Sequence, residues 1–189
     1  ESGMINFGKK KVVVEDYAFS ADEKIMLLYA NGENVYRHSA FYYVFLFDIE
    51  KKEVGMLDFD KVMHATFSPD GKKVAFVKDD NNLYYKDIDA HSIDRISTDG
   101  EKNKIINGNC DWVYEEEFSF TRAFEWSPDS KYIAWYRFNE SQVPEYTLPK
   151  YNGLYPEQYK YKYPKAGEVN SVVEINIYDF QKKQTESAA

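Results

Sequence analysis

One phrase returns three times along this chain, and it restricts the fold more than any other feature. It is an apolar run, a turn built on Ser and Asp, a Lys, and a second apolar run. The copies are Tyr17-Ala18-Phe19-Ser20-Ala21-Asp22-Glu23-Lys24, then Ala65-Thr66-Phe67-Ser68-Pro69-Asp70-Gly71-Lys72, then Phe124-Glu125-Trp126-Ser127-Pro128-Asp129-Ser130-Lys131. The aligned serines Ser20, Ser68 and Ser127 lie 48 and 59 residues apart. A second phrase follows each copy: Phe47-Asp48-Ile49, Lys86-Asp87-Ile88 and Tyr178-Asp179-Phe180, each read as a strand ending in a turn, with a short closing strand after it. Pro and Gly supply the φ angles of tight turns. Each unit therefore reads strand, turn, strand, loop, strand, turn, strand. Four short strands at a period of about 40–50 residues mark a β-propeller blade. The repeated serines are turn residues in this reading, not nucleophiles.

The composition agrees with an all-β class. The 17 Tyr, 13 Phe and 3 Trp suit strands, and few stretches carry a helical apolar stripe. The expected architecture is a partial β-propeller of about three to four four-stranded blades, with a pattern that opens at Lys11 to Val14. Three repeats are too few to close a ring, which takes ~4–8 blades. Residues 1–189 thus read as an arc of a larger ring with unburied blade surface at its ends. Glu1 to Met4 and Gln184 to Ala189 read as cut edges of an excised piece. Two insertions interrupt the repeats. One covers 101–121. The other, 139–170, is rich in Tyr, Pro and Lys, shows little periodicity and reads as a long irregular loop of the kind that often carries function.

Thirty-two acids against 24 Lys plus Arg leave a net charge of -8, which argues against nucleic acid as partner. No apolar run is long enough for a transmembrane helix, and no signal peptide opens the chain. Cys110 is the only cysteine, so neither an internal disulfide nor a cysteine-type zinc site can form. Neither metal nor cofactor is expected.

The first insertion contains Asp111-Trp112-Val113-Tyr114-Glu115-Glu116-Glu117-Phe118. Asp111 suits a helix N-cap, and the acids would then occupy the first turns of a short helix, where the macrodipole favours negative charge. The capping box is incomplete, with Tyr114 where Glu or Gln is expected. Adjacent carboxylates repel unless a cation lies between them. A ligand ammonium or a nearby Arg would serve. An acidic triplet is otherwise a solvated face, but Trp112, Tyr114, Phe118, Phe120, Phe124 and Trp126 point to a partly buried segment, and buried carboxylates need partners.

This string resembles the double-glutamate motif of the dipeptidyl peptidase IV family of serine exopeptidases. Phe138-Asn139-Glu140-Ser141-Gln142-Val143-Pro144 and Tyr163-Pro164-Lys165-Ala166-Gly167-Glu168-Val169-Asn170 resemble further stretches of the family, so the resemblance spans residues 35–180. It implies that Glu116 and Glu117 hold the free N-terminal ammonium of a peptide substrate. It also implies that Arg37, in Val35-Tyr36-Arg37-His38-Ser39, contacts a substrate carbonyl from a hairpin loop of the first blade. The family often has Trp where this chain has Tyr36. In the family the Ser, Asp and His triad lies on a C-terminal α/β-hydrolase domain, which is absent from this chain. No Gly-x-Ser-x-Gly occurs among its nine glycines, and His38, His64 and His91 stand in no triad-like pattern.

The function implied is the substrate-gating, amine-recognising propeller region of an enzyme that releases N-terminal dipeptides, Xaa-Pro or Xaa-Ala. The alternatives are the propeller of a tripeptidyl peptidase or a non-catalytic binding scaffold. The implied partners are a peptide with a free N-terminus and the protein's own hydrolase domain, and family members commonly form homodimers. One cysteine, without the disulfides of secreted animal relatives, fits a bacterial member, with a periplasmic or cell-envelope location favoured over the cytoplasm.

Overall fold

The structure, a computed structural model, describes residues 3–151 and 153–188. It opens with a hairpin of β1 (Met4–Phe7) and β2 (Lys10–Val13). The first blade follows, with β3 (Asp16–Phe19), β4 (Ile25–Asn34), β5 (Ala40–Asp48) and β6 (Glu53–Met56) paired in chain order. The second is β7 (Met63–Phe67), β8 (Lys73–Val77), β9 (Leu83–Asp87) and β10 (Ser92–Arg95), again in chain order. The third unit contains β11 (Ile105–Asn107), α1 (Trp112–Phe118), β12 (Phe124–Trp126), β13 (Tyr132–Asn139), β14 (Glu145–Lys150), β15 (Glu157–Lys162), β16 (Val172–Asp179) and β17 (Gln184–Ala188). Its blade runs β12-β13-β16-β17, with β11 beside β12 on β13. The all-β class, the three four-stranded blades and the short helix match the reading of the sequence.

The repeated Ser-x-Asp phrase closes the first turn of each blade with the same hydrogen bonds. Ser20, Ser68 and Ser127 each donate from Oγ to the Asp two residues on, at 2.7, 2.6 and 2.7 Å. Each Oγ also accepts the N–H of the residue five on: Ile25, Lys73 and Tyr132. The Asp accepts a further backbone N–H, from Lys24, Lys72 and Lys131. These bonds hold the Asp129 carboxyl at about 2, the Ser127 hydroxyl contributing most. The turn thus satisfies its backbone internally, which explains why Ser and Asp recur where Pro and Gly do not.

The core lies between blades. Leu27, Val44 and Leu57 of the first meet Val62, Ala65, Val74 and Phe76 of the second. Met63, Ala75, Val77, Leu83 and Tyr85 meet Phe124, Ile133, Trp135 and Tyr178 of the third. On the other side of the first blade, Leu28, Ala30 and Phe45 lie under Ile5, Phe7, Val12 and Val14. On the third, Tyr132, Tyr136, Ile175 and Ile177 remain exposed, between 36% and 42% of their surface.

The helix is spliced into one strand. β11 pairs with Arg137 to Asn139 of β13, and β12 pairs with Ile133 to Trp135 of the same strand. The two are halves of one interrupted edge. Gly108 N–H donates to Tyr136 O and Ala123 N–H donates to Gly108 O, so the excursion from 108 to 123 leaves and rejoins at one point. Gly108 has φ of +75°, and a Cβ there would lie 3.1 Å from Leu83. Only Gly suits both the turn and the packing.

Two expectations need correction. The segment 139–170 is not an irregular loop, because β14 and β15 pair from Glu145↔Lys162 to Lys150↔Glu157. Tyr and Lys alternate only in β15, while β14 contains Pro149, an unfavourable strand residue. Lys11 to Val14 does not open the first blade, since β2 pairs only with β1. Gln184 to Ala188 forms the short closing strand expected after Tyr178-Asp179-Phe180: β17 is registered against β16 from Asp179 to Ile175. Of the other residues read as edges, Met4 belongs to β1, while Glu1, Ser2 and Ala189 lie outside the described residues.

Candidate functional site

Helix α1 starts as the sequence predicts. Asp111 is its N-cap, with extended backbone, and its side chain accepts the N–H of Tyr114 at 3.0 Å. The other Asp111 oxygen accepts the Ser171 hydroxyl, tying the helix start to the residue that leads into β16. Ser119 ends the helix in the left-handed region, with φ of +58°. Aromatic rings hold it on two sides. Trp112 packs on Tyr163 with ring centroids 4.3 Å apart, and Tyr114 meets Phe138 of β13 at 4.9 Å.

Successive helical side chains diverge by about 100°, so the three glutamates point three ways. Glu115 is fully buried. Its Oε1 accepts the backbone N–H of His38 at 2.7 Å and of Ser39 at 2.9 Å. Glu116 is 14% exposed, and its Oε2 lies 3.2 Å from Nε of Arg37, whose side chain is 72% exposed. Glu117 is exposed and makes no ion pair among the described residues. The structure therefore joins Arg37 to Glu116 and leaves Glu117 facing solvent. Arg37 sits in the turn between β4 and β5, closed by a hydrogen bond from Val35 N–H to Ser39 O at 2.9 Å. A cleft lined by His38, Ser119, Phe120, Thr121, Arg122 and Glu125 opens alongside.

Sequence reasoning assigned nothing to Glu115, though its sequence neighbours carried the signal. Behind the helix lie further buried polar groups. Burial pushes the Glu140 carboxyl up to about 7; the Asp111 charge adds to the shift and Lys162 opposes it. Burial brings His64 down to about 4, although its ring nitrogen bonds Asn109 Oδ1 at 2.8 Å. His64 is neutral at pH 7 and does not flank a Ser and an Asp. Burial raises the Cys110 thiol, which keeps it an unreactive apolar filler. Among the described residues no group of three or more His, Cys, Asp or Glu could hold a metal ion. Arg37 and Glu116 form an ion pair, and Glu117, the next residue of the helix, carries its carboxylate into solvent.

Four-stranded blades packed face to face, with an acid-bearing helix spliced into an edge strand, define a β-propeller region that presents a charged site. The chain belongs to the dipeptidyl peptidase IV (DPP IV) N-terminal region family, which matches residues 20–189. It is 43% identical to the chain in the crystal structure of Porphyromonas gingivalis dipeptidyl peptidase 4, with a TM-score of 0.89 over 94% of this chain and 26% of that one. Among curated relatives it is 38% identical over 179 residues to the "Probable dipeptidyl-aminopeptidase B" of Talaromyces marneffei, covering 86% of this chain and 20% of the relative. It is 34% identical over 180 residues to dipeptidyl aminopeptidase B of Saccharomyces cerevisiae, covering 91% and 21%. The chain spans about a fifth of the length of these curated relatives.

Proposed function

We propose that this chain is the substrate-gating, amine-recognising part of a dipeptidyl peptidase IV-like serine exopeptidase whose α/β-hydrolase domain supplies the nucleophile. The observation that carries the reading is the Arg37–Glu116 ion pair followed directly in the helix by the exposed carboxylate of Glu117. Arg37 compensates Glu116, and Glu117, the next residue of the helix, is exposed and makes no ion pair among the described residues. A peptide α-amine, with a pKa near ~7.7–8.0, is mostly cationic at neutral pH and supplies the opposite charge. Its N–H groups give charge-assisted hydrogen bonds to both carboxylates. The Arg37 fork has donors left over for a substrate carbonyl. An amine fixed at this point sets how many residues reach the scissile bond, so binding geometry defines an exopeptidase that releases dipeptides. Glu116 and Glu117 bind and position; proton transfer and nucleophilic attack belong to the hydrolase domain.

The test uses the whole protein that carries this chain. Hydrolysis of a Gly-Pro chromogenic amide is compared with that of its N-acetylated form, in wild type, Glu116→Gln and Glu117→Gln. Loss of a charged hydrogen-bond partner costs ~1.5–3 kcal/mol. Each substitution, and acetylation, is expected to lower kcat/KM by about 10–100-fold. Equal cleavage of the free and acetylated substrates would remove the amine-anchor reading.

A further inference from the structure

We infer that Glu115, the first member of the acidic triplet, is a positioning residue. It holds the Arg37 turn at a fixed distance from Glu116 and Glu117, and through Arg37 it sets substrate affinity. The inference rests on the amine-anchor reading above and extends it to a residue that does not touch the substrate.

The geometry is specific. His38 and Ser39 directly follow Arg37 in the chain, and both of their backbone amides donate to the same oxygen of Glu115. Seventy-seven residues separate Glu115 from His38, so only the tertiary fold brings them together. On the other side of Arg37, Tyr36 lies against Tyr161 of the β14–β15 hairpin, with centroids 6.2 Å apart. The turn is thus gripped on both flanks of Arg37.

Arg37 itself is held by little else. Its side chain is largely in solvent, and an exposed ion pair orders two long side chains only weakly. The backbone beneath it must therefore set its place. A fully buried carboxyl group is a costly device for mere filling, since an apolar side chain of similar size would pack there without desolvation. Ser39 Oγ and Glu115 Oε2 have no hydrogen-bond partner among the described residues. The two amides are what hold Glu115 in the core, and bonds from amides to a carboxylate are roughly twice as strong as neutral ones. Since Glu115 and Glu116 are adjacent on one helix, fixing the turn to the first fixes Arg37 against the second.

The experiment again uses the whole protein. Glu115→Ala and Glu115→Gln are each combined with Arg37→Ala, and kinetics on the Gly-Pro amide are read alongside amide hydrogen exchange at residues 38 and 39. Glu115→Ala is expected to raise KM about tenfold, with a smaller change in kcat. Glu115→Gln, whose carbonyl oxygen still accepts both amides without the charge, falls between it and wild type. In the Arg37→Ala background the Ala substitution adds less than about twofold, because the two residues act as one unit. Exchange at 38 and 39 accelerates in both Glu115 variants but not in Glu116→Gln. An equal loss in both backgrounds, or unchanged exchange at 38 and 39, overturns the inference and makes Glu115 a fold-supporting residue. A Glu116→Gln protein with undiminished activity defeats the amine-anchor reading instead, while the exchange arm still decides whether Glu115 holds the turn.

Discussion

At the residue scale, three identical side chains in a row have three environments. Glu115 is enclosed and bound by backbone amides, Glu116 is half withdrawn and paired with a guanidinium, and Glu117 faces solvent. Arg37 separates stability from binding in the clearest way. Because it is exposed and its ion pair is near the surface, Arg37→Ala is expected to change unfolding free energy by no more than about 0.5 kcal/mol. In the whole protein, the same change should lower kcat/KM at least tenfold, as read by thermal melts beside kinetics. Glu140 gives a pH prediction. Its folded-state pKa of about 7 lies above the ordinary carboxyl value. The folded protein therefore keeps a proton that the unfolded chain has lost, and stability falls as pH rises from about 4.5 through 7. Relative to wild type, Glu140→Gln should gain about 2–3 kcal/mol between pH 5 and pH 8. Denaturant melts at the two pH values measure this. Comparing variant with wild type removes the contribution of His64, whose depressed pKa gives a slope of opposite sign.

At the element scale, α1 has only seven residues, too short to persist without its caps and its packing. Asp111 does double duty, accepting the Tyr114 amide and the Ser171 hydroxyl. Asp111→Ala should destabilise the protein by about 1–2 kcal/mol, visible as a lower denaturation midpoint, with Asp111→Asn recovering much of it. The N-cap was legible because capping is a local interaction over three residues. The β14–β15 hairpin was not. Its strands are largely exposed, the alternation is confined to Tyr159-Lys160-Tyr161-Lys162 of β15, and the rings pack along the hairpin and onto Trp112 and Tyr36.

At the scale of the whole molecule, each blade is stabilised by the face of its neighbour, so the third blade presents an open sheet face. Tyr132, Tyr136, Ile175 and Ile177 line it, and Phe120, Ala134 and Trp135 line the shallow groove above it. Contiguous apolar surface of this kind drives association. The isolated 189-residue chain is expected to self-associate with rising concentration, and Tyr136→Lys with Ile177→Lys to shift it towards the monomer. Light scattering coupled to size-exclusion chromatography reads both. A concentration-independent monomer in the unsubstituted chain would contradict this view of the face.

The blades, their turns and the helix could be named before any coordinates, because each rests on a short-range pattern, whereas Arg37, Glu116 and Glu117 were named from the resemblance of their stretches to the dipeptidyl peptidase IV family. Ser-x-Asp closes a turn within five residues, Asp111 caps within three, and the acidic triplet is contiguous. Which acid meets which partner could not be named in that way. Helical rotation sends Glu115 inward, and the meeting of a first-blade turn with a third-blade helix provides its two amides. That contact depends on the angle between sheets far apart in the chain, and packing between blades, not local propensity, sets that angle.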